Sequence, residues 1–140
     1  MLKSKSRVRK VVVWGMPIAL SVCVLVIILL SLGIELGVKK LCGAATRKYP
    51  GDKVEALMMS VESDRSGYSA HVYKANNHSF WALGQLGDQR ALPFLRGLLS
   101  GEACHHETNL CQGEIKEAIV KLEGNGFNLP KSLWRAALNY

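Results

Sequence analysis

HSFWALGQLGDQRALPFLRGLLSG, residues 78 to 101, decides how this chain is read. Phe80, Leu83 and Leu86 fall three apart before Gly87-Asp88 interrupts the spacing. Beyond the interruption Ala91, Leu92, Phe94, Leu95, Leu98 and Leu99 recur at three- and four-residue intervals, the pattern of one broad apolar helical face. Gly87 suits the position after a helix end. Asp88 suits a helix cap, because its carboxylate accepts from backbone N–H groups that have no partner inside the helix. Pro93 falls in the early turns, where its missing N–H costs least or produces a bend. The stretch therefore predicts a helix ending at Leu86, a tight corner, and a second helix over Gln89 to Leu99.

The run A-L-G-x-L-G-D-x-R-A-L-P-x-L, specific over residues 81 to 99, resembles the HEAT-like repeat of the phycobilisome-lyase type, a helical-hairpin repeat. Residues 114 to 124 (EIKEAIVKLEG) resemble the second helix of a further unit. The resemblance covers about half the chain and implies about two repeats. It also implies a binding surface more than catalysis, although some members of that family help attach or detach bilin pigments. None of the matching residues carries over as catalytic, because the Gly and Leu positions of the motif serve packing. Phe80 and Trp81 depart from the pattern, standing where the family often has smaller or polar residues, and the family's Ala-Ala pairs are partly replaced.

Upstream, charge is concentrated. The whole chain carries a net +7, of which residues 1–40 supply +6 and residues 41–140 only +1. A nearly neutral folded part, with no basic stripe interleaved with aromatics, argues against a nucleic-acid partner. Lys3, Lys5, Arg7, Arg9 and Lys10 form a basic tail (residues 1–10), followed by 24 uncharged residues, Val11 to Ile34. As a helix these would extend about 36 Å, against a hydrocarbon core of about 30 Å. Trp14 sits near one end, where an indole favours the interface. Residues 11–34 thus read as a transmembrane helix; a secretory signal would have an apolar core of only about 7–15 residues. Five cations precede the run, whereas residues 35–44 hold two cations and an acid, so the N-terminus is expected in the cytoplasm and the C-terminal domain outside it, in a periplasmic or extracellular space. Arg47, Lys48 and Lys53 reduce that asymmetry. Gly33 and Gly37 have the G-x-x-x-G spacing that can seat a helix pair, though such pairs are commonly incidental.

Residues 35–51 read as a junction that ends in the turn signal Tyr49-Pro50-Gly51. From Asp52 to Tyr140 a helical domain is expected. Asp52 with Glu55 resembles a capping box, and Val54, Leu57, Met58 and Val61 share a face. A second helix covers Tyr68 to Leu86, with Val72, Ala75, Ser79, Leu83 and Leu86 on one stripe. It contains the sequon Asn77-His78-Ser79, which a helix would leave unused, and His71 and His78, too far apart to hold one ion by themselves. A fourth domain helix over Glu114 to Leu122 puts Ile115, Ala118, Ile119 and Leu122 on its apolar face. In the last segment, Asn128 to Tyr140, Leu133 and Trp134 read as a lid over the end of the stack or as a docking surface for another protein.

Between the third and fourth of these helices the chain inserts Cys104-His105-His106-Glu107-Thr108-Asn109-Leu110-Cys111. In an exported domain Cys104 and Cys111 would close a small disulfide loop, worth up to about 2.5 kcal/mol. In a cytosolic one Cys104, His105, His106 and Cys111 supply zinc-ligand types, although C-x₆-C is wider than the usual spacing. The expected topology favours the disulfide. No G-x-S-x-G, Walker loop, G-x-G-x-x-G or H-E-x-x-H occurs, so no enzyme and no cofactor is expected. The resulting expectation is an all-α protein: a transmembrane helix followed by a short HEAT-like domain of about two repeats plus a C-terminal capping helix. Its expected role is binding or steadying a protein partner, in particular a membrane complex. The alternative is a metal- or tetrapyrrole-handling protein that uses the 104–111 loop.

Overall fold

The computed structural model describes residues 3–65, 70–101 and 110–135, with side chains at 16–63, 78–101 and 110–133. Those residues are helical throughout their regular structure, with no strand among them. The chain divides into two compact units, Met1–Ile34 and Glu35–Tyr140. Helix α1, Lys3–Lys48, begins in the first and ends in the second.

In the first unit the apolar side chains of α1 face outward: Met16, Leu20, Leu25, Leu29 and Leu30 are all more than half exposed. Among the described side chains, both hydroxyls are satisfied internally, Ser21 Oγ donating to the Pro17 carbonyl and Ser31 Oγ to the Ile27 carbonyl, each at 2.8 Å. A helix that meets its own polar needs and shows a mainly apolar, uncharged exterior over Met16–Ile34 suits a lipid surrounding. Within Met16–Lys48 an 18-residue window reaches a mean hydropathy of 2.8, so one helix near the N-terminus is long and apolar enough to cross a membrane.

The second unit opens with a difference from the sequence reading. Residues 35–51, expected as a junction, stay helical through Lys48. Val38, Cys42 and Ala45 are buried at i, i+4 and i+7, one narrow stripe between exposed lysines. This stripe belongs to the folded unit and not to a linker. Gly37 meets the indole of Trp81, where an added Cβ would stand 3.2 Å from the ring edge; Gly33 has nothing within 4 Å. The glycine at 37 therefore seats a side chain of the chain's own folded unit.

Helix α2, Lys53–Arg65, starts at the expected capping box. Asp52 Oδ1 accepts from the backbone N–H of Val54 (2.9 Å) and Glu55 (3.0 Å), and Glu55 Oε2 accepts in return from the Asp52 N–H (3.1 Å). Helix α3, Ala70–Leu86, packs most extensively against the later helix α5 and against α2. Phe80, Ala82 and Leu83 are buried on it, and Ser79 Oγ shares a hydrogen bond with Ser60 Oγ of α2 at 3.1 Å. The helix ends at Gly87, whose φ of +72° is the left-handed conformation expected there.

The helix expected over Gln89–Leu99 is shorter and begins differently. A 3₁₀ turn, Gln89–Ala91, leads into α4, Leu92–Gly97. Pro93 explains the turn: it has no N–H to offer the Gln89 carbonyl, which accepts from Leu92 instead. Ala91 and Leu95 are buried, while Leu99 is left exposed.

Helix α5, Gln112–Leu122, buries Ile115, Ala118, Ile119 and Leu122 as expected. Its crossing with α3 is close because Gly84 faces Ala118. A Cβ at 84 would lie 2.9 Å from the Ala118 Cα and 3.3 Å from its Cβ. After α5 the chain returns to α3 through Asn128, then forms a π-type turn over Lys131–Arg135.

Candidate functional site

The polar residues of the G-D-x-R motif turn out to hold the corner together. Asp88 caps the 3₁₀ turn through the Arg90 N–H (3.0 Å) and grips the Arg90 guanidinium with both oxygens, the closest contact being Nη2 to Oδ2 at 2.7 Å. From there Arg90 Nη1 reaches Asp52 Oδ2, also at 2.7 Å. One arginine thus ties the cap of α2 to the corner after α3. The backbone N–H of Glu55, and then Arg90, hold the Asp52 carboxyl below its usual range; Arg90 does the same for Asp88. The guanidinium's hydrogen bonds to Asp88 and then to Asp52 raise its pKa further above its already high value.

Beside this trio lies a cleft of about 440 Å³ in the second unit. The buried Val38, Cys42 and Val54, with Leu86, give it an apolar floor. Lys39, Lys53 and Arg90 supply cations to its lining, and Glu35, Asp52 and Asp88 supply anions. Gly43 also lines it, with open space where a side chain would project. Reading residues 35–51 as a junction leaves this cleft unseen in the sequence. The stripe Val38-Cys42-Ala45 was the signal available.

Two buried amides, equally unforeseen, join distant parts of the unit. Asn128 Nδ2 donates to the carbonyls of Gly84 (3.2 Å) and Gln85 (2.9 Å) in the last turn of α3, and its Oδ1 accepts from the Lys131 N–H. Gln112 Oε1 accepts from the Ser100 N–H (3.0 Å), while its Nε2 donates to the carbonyls of Leu98 and Leu110. The Asn128 amide satisfies carbonyls that the end of α3 leaves open, and Gln112 joins the backbone after α4 to the start of α5.

Of the residues singled out in the inserted loop, Cys104, His105 and His106 lie outside the described residues. Cys111 is buried immediately before α5. No two cysteines among the described residues stand at disulfide distance, and no metal-binding cluster of His, Cys, Asp or Glu occurs among them. The side chains of His71 and Trp134 also fall outside the described set, and His78 is exposed. Leu133 is 47% exposed, so it does not close the core as a lid; Asn128 and Pro130 are the buried residues of that segment. Phe127, at 75%, is the more exposed apolar side chain. Backbone bonds from Asn125 and Gly126 to the Val120 carbonyl bring its loop back to α5, where Val120 is itself 42% exposed.

Neither a scan against known protein families nor searches of curated proteins and of solved structures find a match to this chain.

Proposed function

We propose that this chain is a single-pass membrane protein whose helical unit, a short HEAT-like stack, binds a protein partner at the membrane. The observation that carries the reading is the exposure of three large apolar side chains on the folded unit: Val120 on α5, Phe127 in the loop after it, and Leu133 in the last segment. Large apolar side chains left exposed on a folded unit favour a partner that removes them from water. The outward-facing hydrocarbon of α1 supports the anchor, and the five cations among the first ten residues support a cytoplasmic N-terminus. In that topology the helical unit is exported and Cys104 pairs with Cys111. The role is structural: the motif residues Asp88 and Arg90 are committed to the corner, and the partner is held by contact and not transformed.

Photo-crosslinking in native membranes tests this, with a benzophenone amino acid at Phe127, at Leu133 or at the exposed Lys116 of α5. Discrete adducts of one common partner from 127 and 133, absent from 116, are expected. Equal labelling at all three positions, or none at any, contradicts the reading.

A further inference from the structure

We infer that the cleft between the end of α1, the start of α2 and the corner after α3 seats the headgroup of a zwitterionic membrane phospholipid. This rests on the membrane reading above. Its lining begins where the apolar run stops: Glu35, Lys39 and Cys42 are one, five and eight residues past Ile34. A volume of about 440 Å³ falls within the roughly 300–1,000 Å³ typical of small-molecule sites. Buried Val38, Cys42 and Val54 offer an apolar floor for the glycerol backbone and the first methylenes.

Charge selects the headgroup. Arg90 is bound on two sides by Asp52 and Asp88, and those three groups leave one net negative charge on their side of the lining. Lys39 and Lys53 with Glu35 leave one net positive charge. A lining with both signs and no net charge complements a phosphate and an ammonium carried on one molecule. An anionic headgroup without an amine would meet the carboxylates with no cation to offer them. In this seating the phosphate lies on the lysine side, and the amine lies on the side where the Asp52–Arg90–Asp88 trio leaves its net negative charge.

The test uses the full-length protein from alkali-washed membranes, purified in mild detergent and mixed with equal phosphatidylethanolamine and phosphatidylglycerol. Native mass spectrometry counts the retained lipid. Gly43→Phe fills the cleft from a position where nothing stands within 4 Å of the added Cβ. Lys39→Glu changes the lining charge without altering the backbone, and Lys116→Glu serves as a control away from the cleft. One phosphatidylethanolamine per chain is expected for the unaltered protein and for K116E. Retention should fall about tenfold in G43F and K39E, roughly the value of one good charged contact. Unchanged retention in both cleft variants, or a preference for phosphatidylglycerol, overturns the inference. Release of the protein by the alkali wash overturns the membrane reading and this inference with it; a retained protein with unaltered lipid binding overturns this inference alone.

Discussion

Gly84 of α3 and Ala118 of α5 meet at a close helix crossing in the folded unit: a methyl group at 84 would lie 2.9 Å from the Ala118 Cα. That clash is with backbone, so no rotamer change relieves it. Gly84→Ala should therefore destabilise the unit by about 1–3 kcal/mol, despite the better helix propensity of alanine. Chemical denaturation of the full-length protein in detergent, followed by tryptophan fluorescence, checks this. Ala118→Gly added to G84A should restore little, because the nearest atom is the Cα and not the Cβ.

Asn128 is buried and uses its amide to close the last turn of α3. Asn128→Ala leaves the Gly84 and Gln85 carbonyls without that donor and should cost about 1–3 kcal/mol in the same denaturation experiment. Asn128→Asp should cost more, since a carboxylate has no N–H to donate and would meet two carbonyl oxygens in a buried site. Equal effects of the two substitutions would argue that the amide only fills space.

The Asp52–Arg90–Asp88 trio gives stability a definite pH dependence. Both carboxyls titrate below the usual 3.8 in the folded chain, while the arginine stays charged. A lowered folded-state value means that the folded form binds fewer protons than the unfolded one near that pH. The contribution is complete above the ordinary carboxylate range and is lost as pH falls through the lowered values. Arg90→Gln should therefore lower the denaturation midpoint at pH 7 and flatten its decline below pH 3.8. Solvent exposure of the trio keeps the effect modest and salt-sensitive. An unchanged slope in R90Q would show that the trio does not couple to folding.

The proposed exported topology predicts that Cys104 and Cys111 are oxidised. Alkylation of membrane-extracted protein under denaturing conditions should add two fewer labels before reduction than after it. Equal labelling in both states would remove the disulfide and direct metal analysis to His105 and His106. Denaturation is required because Cys111 is buried and would resist the reagent in either redox state.

What the sequence made legible was local. The capping box at Asp52 and Glu55 spans four residues, and its reciprocal bonds follow from residue type alone. Gly87 and the apolar face of α5 were equally readable, since each rests on one residue's freedom or on one helical period. The helix after the corner was drawn too long, because spacing shows where apolar residues recur and not where Pro93 forces a tighter turn. Residues 35–51 read as a junction in the sequence because the stripe within them is only one residue wide and set among lysines. Asn128 and Gln112 were missed for a different reason: their partners lie up to 44 and 14 residues away. An amide side chain gives no sign in sequence of which carbonyl it will meet. The cleft shares that limit, as three separated segments contribute to it.

The central claim is that α1 anchors this chain in a bilayer as an intact segment. Intact mass measured on protein recovered from alkali-washed membranes tests it most directly. The account predicts that the protein stays in the washed pellet with residues 11–34 still attached. A protein released into the soluble fraction, or a shortened chain beginning after the apolar run, would contradict it.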